Sequence, residues 1–182
     1  DMFRLPGIFR TVALYSVPKV HFRDLVATPD LDATYTDGSL TVNAEIRNLG
    51  KKAIKDYKVY YSLYANKLYS DENTLVDGFL SPVIDKIAPN ETGSVQTVLK
   101  VKAPNKWSAE FPYRYTLVAE LKDKKGKTID IVSSYFGICK VEIRDTEAKD
   151  DEFGLKGRYF YVEQQACEVK RSKPSGNQSE QW

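Results

Sequence analysis

Apolar and polar residues alternate with a period of two along most of the chain, as in β-strands that bury one face. The clearest run is SLTVNAEIRN at 39–48, whose inward face is Leu40, Val42, Ala44 and Ile46. Two later runs predict the inward faces Val95, Thr97, Leu99 and Val101, and Tyr113, Tyr115, Leu117, Ala119 and Leu121. The run YKVYYSLYA at 57–65 is apolar on both sides. It predicts a strand that is buried on both faces.

Turn signals separate these runs about every ten residues, a spacing typical of β-sandwiches. They are TDGS at 36–39, NLGKK at 48–52, APNETGS at 88–94 and DKKGK at 123–127. The last of them joins YTLVAEL to TIDIVSSYFG and predicts a hairpin. No amphipathic helix and no internal repeat stands out. The pattern therefore predicts an all-β chain, folded as an immunoglobulin-like β-sandwich of about seven strands.

Length and charge narrow the class of protein further. The chain has 182 residues, enough for one domain with a proper core, and its formal net charge is +2. So balanced a charge gives no electrostatic reason to expect nucleic acid or an anionic membrane as partner. We also see no apolar run of membrane-spanning length and no signal peptide. We expect neither nucleic acid nor membrane as a partner.

The residues that usually carry catalysis or bind metal are sparse. The single histidine, His21, lies in a strand-like run, where a structural or surface role is expected. The two cysteines, Cys139 and Cys167, do not make a metal site by themselves, and no spacing rule supports a bridge between them. A nucleophile triad, a glycine-rich phosphate loop, HExxH and CxxC are all missing from the sequence. The sequence therefore predicts no catalytic residue and no cofactor in this chain.

Four motifs, in order, carry a family resemblance. They are DMFRLPGIFRTVAL at 1–14, NKWSAEFPYRYTLVAEL at 105–121, FGICKVEIRD at 136–145 and EFGLKGRYFYV at 152–162. Together they resemble the β-galactosidases of glycoside hydrolase family 2, from the end of the sugar-binding jelly-roll domain to the approach to the catalytic barrel. Departures are Thr11, where the family usually has Asp, and Ile138-Cys139, where it has Phe-Arg.

The resemblance implies a division of the chain. Residues 1–18 would be the last strand of the sugar-binding jelly-roll domain, and residues 19–145 the immunoglobulin-like sandwich. Residues 146–162 would connect to a catalytic barrel that lies beyond this chain. Residues 163–182 would be a disordered, frame-shifted tail.

The same resemblance implies an activity for the parent enzyme, meaning the complete family member. That enzyme hydrolyses terminal non-reducing β-D-galactose residues with retention, using two carboxylates of the barrel. We therefore expect this chain to be an inactive fragment, with Glu110 and Glu142 in structural or solvated positions. In the parent, Asp1 would contact galactose and a sodium ion, and magnesium would be a second metal. The parent is expected to be a homo-oligomer, in the cytoplasm or periplasm of a bacterium.

The last twenty residues motivate a separate hypothesis. Read one base late, codons for residues 163–180 permit Asn-Asn-Lys-Pro-Val-Lys-Leu-Lys-Gly-Val-Asn-Arg-Gln-Glu-Thr-Asn-Pro, similar to the family's barrel start. One base inserted after the Val162 codon would explain this, and Cys167 and Trp182 would then have no selected role. The alternative is a genuine disordered tail, which low apolar content also fits. Only the nucleotide sequence separates the two.

Two other functions stay open at this point. One is a stand-alone carbohydrate-binding sandwich, because exposed aromatic rings can stack on sugars. The other is a different family 2 glycosidase, such as a β-glucuronidase or a β-mannosidase. The aromatic residues in question are Tyr60, Tyr61, Tyr64, Phe111, Tyr113 and Tyr115. We expect them to serve the core and a domain interface, because they occupy alternating or motif positions.

Overall fold

The computed structural model describes residues 11–66, 73–150, 156–162 and 165–167. The ten strands of these residues are Val20–Leu31 (β1), Gly38–Asn48 (β2), Lys58–Asn66 (β3), Asn73–Leu80 (β4), Thr92–Val101 (β5), Arg114–Lys122 (β6), Thr128–Phe136 (β7), Val141–Thr146 (β8), Gly157–Val162 (β9) and Gln165–Cys167 (β10). A single turn of 3-10 helix, Ala148–Asp150, lies between β8 and β9. No helix of the described part is long and apolar enough to cross a membrane.

Seven strands form the predicted sandwich. One sheet has the order β1-β2-β5 and the other the order β4-β3-β6-β7, and every pairing is antiparallel. The prediction of an all-β sandwich is confirmed, and so is the hairpin between β6 and β7. The third sheet, β10-β9-β8, stands outside the sandwich.

The core lies between the two inward faces that the alternation predicted. Leu40, Val42, Ala44 and Ile46 of β2 are fully buried against Leu117, Ala119 and Leu121 of β6 and their neighbours. These two strands are central in their sheets, so the period of two shows clearly in their sequences. The central strand β3 is less enclosed than predicted. Tyr61 is buried, whereas Tyr60 and Tyr64 on its outer side are only half-buried.

The chain enters the sandwich at one end and leaves it at the other. The near end contains the loops at 48–57, 81–91 and 123–127, and the far end contains those at 32–37, 102–113 and 137–140. β1 begins at the near end, where Val20 pairs with Asn48, and β7 finishes at the far end. A strand of twelve residues, such as β1, spans about 40 Å. The strands β8 and β9, which we name the exit hairpin, follow the far end.

The expectations for the two ends of the chain can be compared with the described residues only in part. A strand was expected before Pro18, but residues 11–17 form none, because no described strand lies beside them to complete a ladder. The remainder of that predicted strand lies outside the described residues. The predicted disordered tail also lies outside them, apart from the short strand β10.

Candidate functional site at the far end

The far end brings together two of the motifs that carry the family resemblance. The backbone N–H of Trp107 donates to the carbonyl of Ile138 at 2.8 Å, and Lys106 pairs with Ile138 in a parallel bridge. The Trp107 side chain lies directly on Gly137, where an added Cβ would be 2.6 Å from the Cβ of Trp107. The Trp-Ser motif therefore needs the glycine of the Phe-Gly motif. β7 ends at Phe136, directly before this contact.

The loop after Trp107 is held by its own hydrogen bonds. Ser108 N–H donates to the Phe111 carbonyl at 3.0 Å, and Phe111 N–H donates to Ser108 Oγ at the same distance. The Tyr115 hydroxyl accepts from Asn105 N–H at 2.8 Å. Glu110 is exposed at the tip of this loop, consistent with the solvated position expected for it.

A second loop of the far end, residues 32–37, is organised by one carboxylate. Asp32 Oδ1 accepts from Thr34 N–H at 3.1 Å and Thr36 N–H at 2.9 Å, and the Thr34 hydroxyl donates to the same carboxylate. The bond from Thr36 is the main cause that lowers the pKa of Asp32. Between them, Tyr35 has a φ of +56°, a left-handed conformation that is uncommon for a bulky aromatic residue. The ring of Tyr35 is nevertheless buried.

Tyr35 meets three charged residues around the start of the exit hairpin. Its hydroxyl donates to Glu142 Oε2 at 2.8 Å and accepts from Arg144 Nη2 at 2.8 Å. Arg144 also pairs directly with Glu142. Lys140 donates to the Leu31 carbonyl at 3.2 Å, and its Nζ lies 3.5 Å from Glu142 Oε1. We name Tyr35, Lys140, Glu142 and Arg144 the exit clamp.

The electrostatics of the exit clamp follow from these contacts. Hydrogen bonds from Tyr35 and Arg144 lower the pKa of Glu142, because both stabilise its ionised form. The same bond to Glu142 raises the pKa of Tyr35, because it stabilises the protonated phenol. A carboxylate held in this way does not supply a proton near neutral pH. The contacts of Glu142 join the exit hairpin to the sandwich, and the partner Tyr35 was not predicted from the sequence.

The sugar-stacking alternative can be examined on the outer face of the four-stranded sheet. Of the six aromatic residues, Tyr61 and Tyr115 are in the core, and Phe111 is 71% exposed. Lys122 Nζ lies 4.8 Å from the centroid of the Tyr60 ring. Arg114 likewise lies 5.5 Å from the Tyr135 ring centroid on the same face. These cations occupy positions over ring faces that a sugar would need, so the geometry favours an interface over a sugar platform.

The remaining predicted residues are dispersed. His21 donates from Nδ1 to the Pro18 carbonyl at 2.9 Å, a contact that keeps it structural. Asp1 and Trp182 lie outside the described residues. Of Cys139 and Cys167, on opposite sides of the exit hairpin, only the first has a described side chain, and it is half-buried. Within the described ranges, no group of three or more His, Cys, Asp or Glu side chains gathers as metal ligands.

An open cleft of about 510 Å³ adjoins the exit clamp, between the ends of β1, β2 and β5. Its acidic residues are already used by the backbone. Asp30 accepts from the N–H of Leu31 at 2.8 Å, and Asp37 accepts from the N–H of Ala103 at 3.0 Å. The cleft therefore stabilises loops and offers no built ligand site.

These features define a class of protein domain: an immunoglobulin-like sandwich that the chain enters at one end, with an exit hairpin bound at the other end. The chain belongs to the family described as glycosyl hydrolases family 2, whose sequence model matches residues 20–138. The resemblance found in the sequence motifs is thereby confirmed.

Similar proteins agree with this family. The β-galactosidase of Priestia megaterium (strain DSM 319 / IMG 1521) is 35% identical over 158 residues, which are 87% of this chain and 14% of that protein. The β-galactosidase of Pseudoalteromonas haloplanktis is 36% identical over 148 residues, 79% of this chain and 13% of that protein. This chain therefore spans about 14% of the length of the curated relatives that it matches. A Bacteroides uniformis β-glucuronidase structure has the same fold, with a TM-score of 0.62 at 16% identity, covering 81% of this chain and 16% of that one.

Proposed function

We propose that this chain supplies the immunoglobulin-like sandwich of a retaining β-galactosidase, which removes terminal non-reducing β-D-galactose residues. The carrying observation is that relatives named β-galactosidase match most of the chain at about 35% identity. The sandwich holds the sugar-binding domain on its near side and the catalytic barrel beyond its exit hairpin. In this proposal the domain ranges are 1–18, 19–145, 146–162 and 163–182, as expected from the motifs.

The catalytic carboxylates of the proposed enzyme lie in the barrel, so the chain alone is inactive. The two glutamates on the family motifs support this, because Glu110 is exposed and Glu142 is bound by the exit clamp. A retaining glycosidase needs two carboxyl groups about 5 Å apart across the scissile bond. The purified chain should therefore show no turnover of a nitrophenyl β-galactoside. Turnover above the blank would contradict the proposal.

A chimaera tests the role of the sandwich in an active enzyme. Residues 20–146 would replace the matching segment of the Priestia megaterium β-galactosidase. Nitrophenyl galactoside hydrolysis should persist, because the module supplies the same support in both proteins. A matched chimaera with Leu117→Asp, which places a charge in the core, should fail to fold and lose activity. A folded first chimaera without galactosidase activity would count against the proposed role.

Asp1 has a proposed role in the parent enzyme only. Its carboxylate would accept bonds from galactose hydroxyls and offer hard oxygen to a sodium ion, and both suit a carboxylate. In the proposed parent, magnesium would be a second metal and the enzyme would be a homo-oligomer. Replacing the matching aspartate of the Priestia megaterium relative by Asn should lower galactoside turnover. Unchanged kinetics would refute the role of Asp1.

The frame hypothesis has its own test. The gene is sequenced through the codon of Val162 and onward from independent template. A continuous frame leading into barrel sequence would make the tail at 163–182 an artefact and the protein part of a working β-galactosidase. A confirmed extra base would make the product a catalytically dead remnant whose intact part is the sandwich. A continuous frame with no barrel sequence downstream would refute the hypothesis.

A further inference from the structure

The described apolar side chains of β8, the first strand of the exit hairpin, are exposed. Val141 and Ile143, which would face a core if the hairpin had one, are 58% and 60% exposed. Its two strands pair in antiparallel fashion, from Val141 opposite Val162 to Thr146 opposite Gly157. Asp145 and Arg158 add an exposed pair across the strands, 2.7 Å apart at the closest atoms. Among the side chains that the structure describes, β8 therefore has no apolar packing to orient it on the sandwich, so polar contacts must do this.

We propose that Tyr35 is a positioning residue whose hydroxyl fixes the direction of the exit hairpin relative to the sandwich. The hydroxyl is the shared atom of the exit clamp, since it donates to Glu142 and accepts from Arg144. Glu142 and Arg144 both belong to β8, two residues apart on one side of the strand. Two bonds to one strand define an orientation, which a single bond would not.

Hydrogen bonds to Asp32 hold the loop that carries Tyr35. Asp32 accepts two backbone N–H bonds and a hydroxyl, and this network holds the residue between Thr34 and Thr36 in its left-handed conformation. An aromatic residue is strained in that conformation and persists there only where its surroundings fix it. The strain is located at a residue whose side chain bonds to β8.

Two neighbouring contacts strengthen the same junction. Lys140 donates to the Leu31 carbonyl and lies 5.5 Å from the Tyr35 ring centroid, so it joins β1, the loop and β8. The guanidinium of Arg144 lies 5.1 Å from the ring centroid of Tyr161 on β9. The clamp thereby reaches both strands of the hairpin. Its consequence for a following catalytic domain rests on the proposed function, whereas the clamp itself does not.

The test is backbone hydrogen exchange on the 182-residue chain, resolved by residue. Tyr35→Phe keeps the ring and removes only the hydroxyl. We expect exchange in β8 and β9 to become about five to ten times faster, the effect of one or two lost hydrogen bonds, with β6 unchanged. The matched control is Tyr57→Phe, which removes a hydroxyl at the near end and should leave the exit hairpin unchanged.

A second variant separates the hydroxyl from the strained backbone. Tyr35→Gly relieves the left-handed conformation but also removes a ring of the core cluster, so β6 and the hairpin should both exchange faster, whereas Tyr35→Phe should accelerate the hairpin alone. Unchanged exchange of β8 and β9 in Tyr35→Phe would overturn the proposal, and so would equal acceleration of β6 in both variants. The measurement needs no galactosidase. Failure of the clamp and failure of the proposed enzyme function are therefore distinguishable.

Discussion

Two buried tyrosines of the core differ in whether the hydroxyl has a partner. The hydroxyls of Tyr61 and Thr97 are buried without a partner in hydrogen-bonding geometry among the described residues. Burial raises the pKa of Tyr61 to about 12, and the nearby Thr97 hydroxyl lowers it only weakly because the two hydroxyls lie outside hydrogen-bonding geometry. An unpaired buried polar group costs about 1–3 kcal/mol. We therefore expect Tyr61→Phe to leave the free energy of unfolding unchanged or raise it by up to about 1 kcal/mol.

Tyr115 is the matched comparison for this prediction. Its hydroxyl is also in the core but accepts from Asn105 N–H at 2.8 Å, so Tyr115→Phe leaves that N–H without this acceptor. We expect a loss of about 1 kcal/mol, measured for both variants by urea unfolding. If Tyr61→Phe proved the more damaging of the two, the hydroxyl of Tyr61 would have a partner after all.

The ionisation of Glu142 sets the lower end of the pH range in which the exit clamp contributes to stability. Its pKa is lowered from 4.5, first by the Tyr35 hydrogen bond and then by Arg144, with Lys140 as a weaker influence. A lowered pKa means that the contribution to stability is complete above 4.5 and is lost as pH falls through the folded value. The pKa of Tyr35 is raised from 10.0, so its contribution is complete below 10.0 and is lost as pH rises further.

Carboxyl titration by NMR checks this range and its cause. In Tyr35→Phe the midpoint of Glu142 should rise toward its ordinary value, because its strongest hydrogen bond is missing. Asp145 is the internal control, since its pKa is lowered by Arg158 and not by Tyr35. A Glu142 midpoint that does not respond to Tyr35→Phe would assign the lowering to Arg144 alone.

At the scale of the element, Gly137 permits the turn that ends β7. An added Cβ would be 2.6 to 2.8 Å from Cβ, Cγ and Cδ1 of Trp107, and the first of these cannot move away unless the backbone shifts. We expect Gly137→Ala to lower the free energy of unfolding by about 1–3 kcal/mol, a typical cost of overpacking. Ser133→Ala on the exposed face of the same strand should stay within about 0.5 kcal/mol. Equal effects of the two substitutions would mean that the motifs do not depend on this contact.

At the near end, one buried amide joins two loops, the one that follows β2 and the one at 81–91. Asn48 Nδ2 donates to the carbonyls of Lys52, Ile87 and Ala88 at 2.9 to 3.2 Å, and its Oδ1 accepts from Gly50 N–H. Asn48→Asp is the same size but turns an acceptor toward three carbonyls. We expect it to lower the free energy of unfolding by about 2–4 kcal/mol. Urea unfolding of this variant beside Asn43→Asp, on the outer face of the same strand, would show whether the loss depends on burial.

The sequence predicted the elements best where a strand is central in its sheet. β2 and β6 have neighbours on both sides and one solvated face, so every second residue is apolar. β4 is an edge strand whose residues are mostly exposed, and its sequence, NTLVDGFL, shows no alternation to find. The sequence motifs pointed to the far end of the sandwich, because Trp107 of one motif contacts Gly137 of another there. Tyr35 was missed because its partner Glu142 lies 107 residues away, and a tyrosine in a turn gives no sign of that contact.

At the scale of the whole molecule, one core holds the seven sandwich strands, and the exit hairpin lies outside it. Among the described residues, twenty buried apolar side chains from both sheets and their loops form a single cluster, so β1 to β7 should open as one cooperative unit. The exit hairpin is attached by the clamp and should open at lower free energy. Leu117→Ala, a fully buried truncation, should lower the opening free energy of β2 and β6 alike by about 2–5 kcal/mol.

The same variant should not alter the local opening of β8 and β9, because none of their clamp contacts involves Leu117. Native-state hydrogen exchange at increasing urea measures both openings in one sample. Val98→Ala, an exposed truncation on the outer face of β5, is the control and should move neither. If Leu117→Ala accelerated the hairpin at low urea as much as β6, sandwich and hairpin would be one unit rather than a rigid block with an oriented exit. A clamp would then have nothing separate to position.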